Sequence, residues 1–154
     1  METVIGETVI RGTVIAVCIS EKKGTVKKPV ARGLLIEGHG LENDAHAGSW
    51  HRQVSLLSFE KIEDFKKRGG AVTHGDFGEN LVVSGMDFAA LPVGTRLTVG
   101  DAVLEVSQIG KECHTRCSIY SAMGECIMPT QGVFATVLHG GTVKAGDEMV
   151  VCAE

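Results

Sequence analysis

The sequence predicts a mainly β protein, a β-barrel-like fold carrying one or a few short helices. Gly supplies 20 of 154 residues, nearly twice the usual share of about 7%, which points to frequent turns. Between those turns lie short segments rich in Val, Ile and Thr, the residues that suit a pleated, half-buried surface. Only one segment carries apolar residues at a helical spacing. Frequent turns, many short strands and one helix together read as a barrel.

Val9 to Ser20 reads as the first strand, and Glu21-Lys22-Lys23-Gly24 as a charged, solvated turn. Leu34-Leu35-Ile36 is a short strand ahead of the polar stretch from Gly38 to Arg52, and Val54 to Leu57 is the next. Ser58 stands as an N-cap before a helix with Phe59, Ile62 and Phe65 on one face. Glu60, Glu63 and Asp64 lie early, Lys66, Lys67 and Arg68 late, which complements the helix dipole, and Gly69-Gly70 ends it. Asn80 to Val83 and Arg96 to Val99 are strands, with Leu91-Pro92-Val93-Gly94 turning into the second. Gly100-Asp101 makes a hairpin into Val103 to Ile109, where Leu104 and Val106 alternate with Glu105 and Ser107. Val133 to Leu138, Gly140-Gly141, Thr142-Val143, Gly146-Asp147 and Met149 to Cys152 repeat that pattern. Turn chemistry accounts for Asp101 and Asp147 beside their glycines.

The length fits one domain over residues 1–154. A net charge of −4 argues against wholesale phosphate neutralisation, so nucleic acid is not an expected partner. The longest wholly apolar run, Val14 to Ile19, falls far short of the ~20 residues of a membrane helix. Met1-Glu2-Thr3 opens no basic, apolar leader. The 5 Cys, an odd number, argue against a disulfide framework. A cytoplasmic setting with reduced thiols and no membrane partner is the expectation.

Generic motifs are scarce. No Walker loop, CxxC or HExxH occurs, and Gly38-His39-Gly40 lacks the third Gly of a dinucleotide fingerprint because Asn43 stands there. His46 and His51 flank Gly48 in a segment without helical character. Surface or hydrogen-bonding roles account for both, as for His39, His74 and His139. Cys18 and Cys152, among Val and Ile, read as small buried hydrophobes. Cys113 differs. It follows the strand ending near Gln108, and Lys111, His114 and Arg116 surround it. Such neighbours favour the thiolate, the form that acts as nucleophile and metal ligand. A buried, inert thiol is the alternative on chemistry alone.

Asn43-Asp44-Ala45-His46-Ala47-Gly48 and Arg52-Gln53-Val54-Ser55-Leu56-Leu57-Ser58 resemble the front motif of MOSC domains. That family is named for the C-terminal domain of molybdenum cofactor sulfurase. Gly75-Asp76-Phe77-Gly78-Glu79-Asn80-Leu81 is similar to its central Gly-Glu-Asn-Leu signature. Leu91 to Leu97 and Leu104 to Gln108 resemble the hairpin leading to the family cysteine, which maps onto Cys113. Gly140 to Asp147 is similar to the closing motif. The resemblance runs from about Val9 to Val151 and implies a β-barrel-like stand-alone MOSC protein. It implies a pterin partner, the molybdenum cofactor (molybdopterin), with Cys113 carrying sulfur or binding the metal. Some relatives reduce N-hydroxylated bases with electron partners, and nothing here resembles such a partner domain. Glu112 stands where many relatives have Pro, and Cys117 and Cys126 are additional. Pyridoxal phosphate belongs to the sulfurase's separate desulfurase domain and is not expected in this chain.

Physical chemistry nominates residues within those motifs. A pterin phosphate calls for Arg or Lys, here Arg52 and Lys111. A pterin edge calls for paired donors and acceptors of the kind Asp44, Gln53 and Asn80 carry. His46 lies in the front motif. Gly78, Glu79 and Asn80 serve either the ligand or a turn fixing the next strand. The expectation is that Asp44, His46, Arg52, Asn80 and Cys113 converge on one concave face. Its walls are the loop from Asn43 to Arg52 and the turn from Phe77 to Asn80. Two other readings compete: a Zn or iron–sulfur module on Cys113, Cys117, Cys126 and His114, and a non-catalytic barrel. The metal module lacks the usual CxxC knuckle. The barrel would bind a cofactor-biosynthesis protein or a molybdoenzyme.

Overall fold

Along Arg96–Val99, Ala102–Ile109 and Gly141–Lys144 buried side chains alternate with more exposed ones, so each offers one face to a common interior, whereas Val54–Ser58 and Leu81–Ser84 are buried on both faces. The computed structural model describes residues 10–22, 27–69, 72–75, 77–110 and 132–152. Val9, Lys23, Gly24, Gly70, Asp76, Lys111, Glu112, Cys113, His114, Arg116, Cys117 and Cys126 lie outside the described residues. The strands are β1 (Arg11–Ile19), β2 (Lys28–Val30), β3 (Arg32–Ile36), β4 (Gly40–Leu41), β5 (Val54–Ser58) and β6 (Leu81–Ser84). They continue as β7 (Arg96–Val99), β8 (Ala102–Ile109), β9 (Val133–His139), β10 (Gly141–Lys144) and β11 (Glu148–Val151). Helix α1 (Phe59–Lys67) joins β5 to β6, and Phe88–Ala90 forms a single 3₁₀ turn.

Seven strands close into a barrel in the order β11-β7-β8-β9-β5-β6-β1, with β11 returning to β1 and β2 added beside β1. Within it β5 and β6 run parallel, as a helical crossover requires, and the other barrel pairings are antiparallel. A smaller sheet, β10-β3-β4, flanks it. Val14, Leu56, Leu81, Val83, Leu104, Val106, Val133 and Ala135 are among the side chains that fill the interior. A register shift between Val14 and Ala16 lets Val14 and Val17 both point inward while Ala16 and Cys18 face out. Those outward residues, with Leu57 and Val82, form a second core beneath α1.

Helix α1 seats Ile62 and Phe65 fully, and Phe59 partly, on that second core. Phe65 meets Phe77 edge-on at 5.2 Å between centroids. Ser58 occupies the N-cap position but does not cap with its side chain; its hydroxyl donates instead to the Met86 carbonyl. Glu60 in the first turn accepts the Gly85 N–H, and Lys66 and Lys67 lie in the last turn. The hairpin at Gly100-Asp101 forms as expected, with Val99 opposite Ala102. The C-terminal segments do not repeat it. β10 leaves the barrel wall after β9 and pairs with β3, Thr142 opposite Leu34. Asp147 closes the following turn by accepting from Lys144 N and Nζ, and the Lys144 side-chain hydrogen bond holds its carboxyl below the usual range.

His74 lies beside Phe59, and its Nδ1 is buried with no hydrogen-bond partner among the described residues. Burial first, and the Lys66 charge second, lower its pKa from 6.5, against an opposing pull from Glu63. The native state therefore takes up this proton at lower pH than the unfolded chain does. Its contribution to stability is intact above about pH 6.5 and is lost as pH falls below that value. Urea midpoints measured on descent from pH ~7.5 to ~5 are expected to fall. His74→Gln should flatten that part of the profile, and an unchanged slope would contradict the assignment.

Candidate functional site

Asn43 has φ of 67°, the left-handed region that Asn tolerates better than most residues, and it turns the chain so that Asp44 points inward. There the Asp44 carboxylate accepts Ser20 N–H at 3.0 Å, Lys27 Nζ at 2.7 Å and Asn80 Nδ2 at 3.2 Å. The Lys27 and Asp44 side chains are 2% and 0% exposed, so this is a buried ion pair. Lys27 also meets His46 Nδ1 at 2.9 Å. Asn80 spends its amide internally: Oδ1 accepts from Ser55 N–H and Oγ, and Nδ2 donates to Cys18 O as well as to Asp44. One polar node thus ties the end of β1, the start of β2, the front motif and the start of β6.

A cavity opens over this node. Lys27 and Asn80 line it from the node itself, His46, Trp50 and Arg52 from the front-motif loop, and Gly78 from the central turn. Ser55 on β5 and Phe134 on β9, directly paired across the strands, supply the wall. Val54 and Leu56 beside Ser55, and Val133 and Ala135 beside Phe134, face the barrel interior. The cavity therefore lies on the outer face of the barrel wall, and the interior is filled by side chains.

Arg52 is held by its surroundings. Its guanidinium carbon sits 5.1 Å from the Phe134 ring centroid and 5.9 Å from that of Trp50, and its Nε donates to Gln108 Oε1 at 3.1 Å. The same Gln108 oxygen meets His51 Nε2 at 2.8 Å, and Gln108 Nε2 donates to the Gly110 carbonyl at 2.8 Å. Gly110 N–H in turn donates to Gly132 O at 2.6 Å. The two ends of the chain flanking residues 111–131 are thus fastened together beside Arg52.

Of the residues nominated from sequence, His46, Arg52 and Asn80 line the cavity, and Asp44 lies beneath it. Gln53 does not: its Oε1 accepts the Val137 N–H, tying the front motif to β9. Glu79 does not either. Fully buried, its carboxylate accepts Gly75 and Phe77 N–H and so builds the central turn. Lys111 and Cys113 fall outside the described residues, as do the Cys117 and Cys126 of the metal-module reading. Among the described residues no cluster of His, Cys, Asp and Glu could hold a metal ion. Lys27, Trp50 and Phe134 were not foreseen. Trp50, the sole Trp of the chain and within the loop from Asn43 to Arg52, carried a usable signal; Lys27 carried none, since Lys is almost never buried unless paired.

Fold and site define a small β-barrel with an Arg-bearing cavity on its outer wall. The chain belongs to the MOSC domain family, whose model matches residues 43–150. In fold it is similar to the YUAD protein of Bacillus subtilis, at 21% identity and a TM-score of 0.78, covering 96% of this chain and 99% of that one. It is similar to YiiM of Geobacillus stearothermophilus, with 19% identity, a TM-score of 0.70, and 92% and 75% of the two chains covered. YiiM of Escherichia coli is also similar, with 19% identity, a TM-score of 0.64, and 94% and 70% covered. No curated protein matches the chain. No helix among the described residues is long and apolar enough to cross a membrane.

Proposed function

We propose that this protein, acting as one domain, binds the pterin of the molybdenum cofactor in the cavity beneath Trp50. Cys113 then serves as the thiolate that carries sulfur or ligates the metal. The single observation that supports this most is the convergence of Arg52, Lys27, His46 and Trp50 on one cavity. The donor set fits the group. The Lys27 and Asp44 charges cancel, so Arg52 leaves the cavity with a net positive charge suited to a phosphate. Trp50 and Phe134 offer ring faces to a flat heterocycle. Asp44 and Asn80, engaged with each other and with the backbone, keep the cavity in shape. When bound, the cofactor supplies the sulfur-accepting metal centre. Lys111, in the cysteine's own segment, is a second phosphate donor in this reading, and cofactor-biosynthesis proteins or molybdoenzymes in the cytoplasm are the partners.

Trp50, being the only Trp, reports on the cavity directly. Titration with the intact cofactor is expected to quench its fluorescence saturably. Arg52→Ala should weaken binding by ten- to a hundredfold, the ~1.5–3 kcal/mol of a hydrogen bond to a charged group. Cys113→Ser should retain the quenching but lose sulfur transfer. Fluorescence indifferent to the cofactor sinks the reading.

A further inference from the structure

Strict alternation along β8 would point Gln108 into the barrel with Val106. The strand breaks its alternation there. Its register against β9 shifts between Val106, opposite Ala135, and Gln108, opposite Phe134. Ser107 is the extra residue of this bulge, and the bulge re-aims Gln108 to the outer face that carries Phe134. Both residues then grip the segment leading into β5. Ser107 Oγ donates to the His51 carbonyl, and Gln108 Oε1 meets His51 Nε2 at 2.8 Å and Arg52 Nε at 3.1 Å. Gln108 Nε2 donates to the Gly110 carbonyl at 2.8 Å. The amide has one workable orientation. Turned over, its NH2 would face the Arg52 N–H and its oxygen would face a carbonyl.

A guanidinium carries five N–H donors in one plane and offers an oxyanion two edges. The side edge pairs Nε with one Nη; the end edge pairs the two Nη groups. Gln108 takes Nε, which closes the side edge. The Nη groups of Arg52 have no hydrogen-bond partner among the described residues. The Phe134 and Trp50 rings, 5.1 and 5.9 Å from the guanidinium carbon, hold the plane beside the cavity. We propose that Gln108 is a positioning residue that sets the edge by which Arg52 binds its ligand, so that an oxyanion is gripped end-on by the two Nη groups. The ligand class follows: a terminal group with two equivalent oxygens side by side, such as a phosphate. A single carbonyl oxygen fills half of that fork. This rests on the pterin reading only in taking a phosphate as what Arg52 meets; the choice of edge belongs to this chain alone.

Proton–nitrogen spectra of the cooled, labelled full chain resolve arginine Nε–H from Nη, with Arg52 assigned by the signals lost in Arg52→Lys. Inorganic phosphate, added at constant ionic strength, is expected to shift the Arg52 Nη signals saturably while Nε–H moves far less. An Nε–H that moves as much as Nη, or no saturable response, overturns the proposal. The wild-type titration decides the edge without any variant. Gln108→Met keeps the side-chain length and removes the acceptor, so the side edge opens. Nε–H is then expected to follow the phosphate titration, which a loss of packing would not produce. An Nε–H that stays still in that variant overturns the role of Gln108. If phosphate binds end-on and the cofactor leaves Trp50 fluorescence unchanged, the pterin reading falls and the edge assignment stands. If phosphate moves Nε–H instead, the edge assignment falls and the pterin reading is untouched.

Discussion

Asp44→Asn is expected to destabilise the protein by about 3–5 kcal/mol, the cost of removing one partner from a buried ion pair. The substitution keeps the side-chain shape but turns one acceptor oxygen into an NH2 donor, so the loss combines the missing charge with the hydrogen bonds that oxygen accepted. Lys27 would be left as an ammonium with a side chain 2% exposed, and its carboxylate partner gone. Against a typical total stability of ~5–15 kcal/mol, that is a large fraction. Urea denaturation should show the midpoint falling with little change in slope. Adding Lys27→Met should recover most of the loss, since a buried pair replaced by apolar groups is often neutral. Additive losses in the double variant would mean that the two side chains do not depend on each other.

Gly75→Ala is expected to cost about 2–6 kcal/mol, roughly 1–3 from backbone strain and 1–3 from a displaced neighbour. Gly75 has φ of 98°, and a β-carbon there would overlap the Lys27 carbonyl. The two residues are also joined by a hydrogen bond from Lys27 N to Gly75 O at 3.1 Å. A carbonyl cannot rotate away as a side-chain tip can, so the start of β2 must shift and take the Lys27 ammonium with it. Gly78 supplies the control, with φ of 81° and open space where its β-carbon would go. Thermal or urea unfolding should rank Gly75→Ala clearly below Gly78→Ala. Equal losses would refute the contact with Lys27.

Helix α1 was legible because its apolar spacing and charge order are local properties of the chain. The short strands β2 and β4 were not, for Pro29 and Gly40 break any alternation and only pairing with the strand just before each defines them. The route of β10 was hidden for a related reason. The Gly140-Gly141 pair reads as a hairpin turn, yet at Gly140 any β-carbon would press on the Leu35 carbonyl. Its glycine permits the close crossing that carries β10 to β3. The candidate site divides the same way. Asp44, His46, Arg52 and Asn80 lie in recognisable motifs, whereas Lys27 becomes significant only when the fold brings it to Asp44 and His46. Ser58 and Gln53 mislead because each is polar and well placed in sequence, but a nearby backbone group claims its side chain.

The closing seam of the barrel, where Arg11 lies opposite Val150, also constrains how the chain folds. β1 offers one edge to two partners: β2 covers it from Val17 to Ile19, and β11 covers it from Arg11 to Thr13. The first partner follows within a few residues, while the second comes far later in the chain. Until it arrives, Arg11 to Thr13 and the far edge of β7 carry unpaired backbone donors and acceptors, a template for pairing with another chain. Loop-closure entropy across so long a separation also places this fold among slow folders, in the millisecond-to-second range. Nascent chains halted before Glu148 therefore expose two unfinished edges, one on β1 and one on β7.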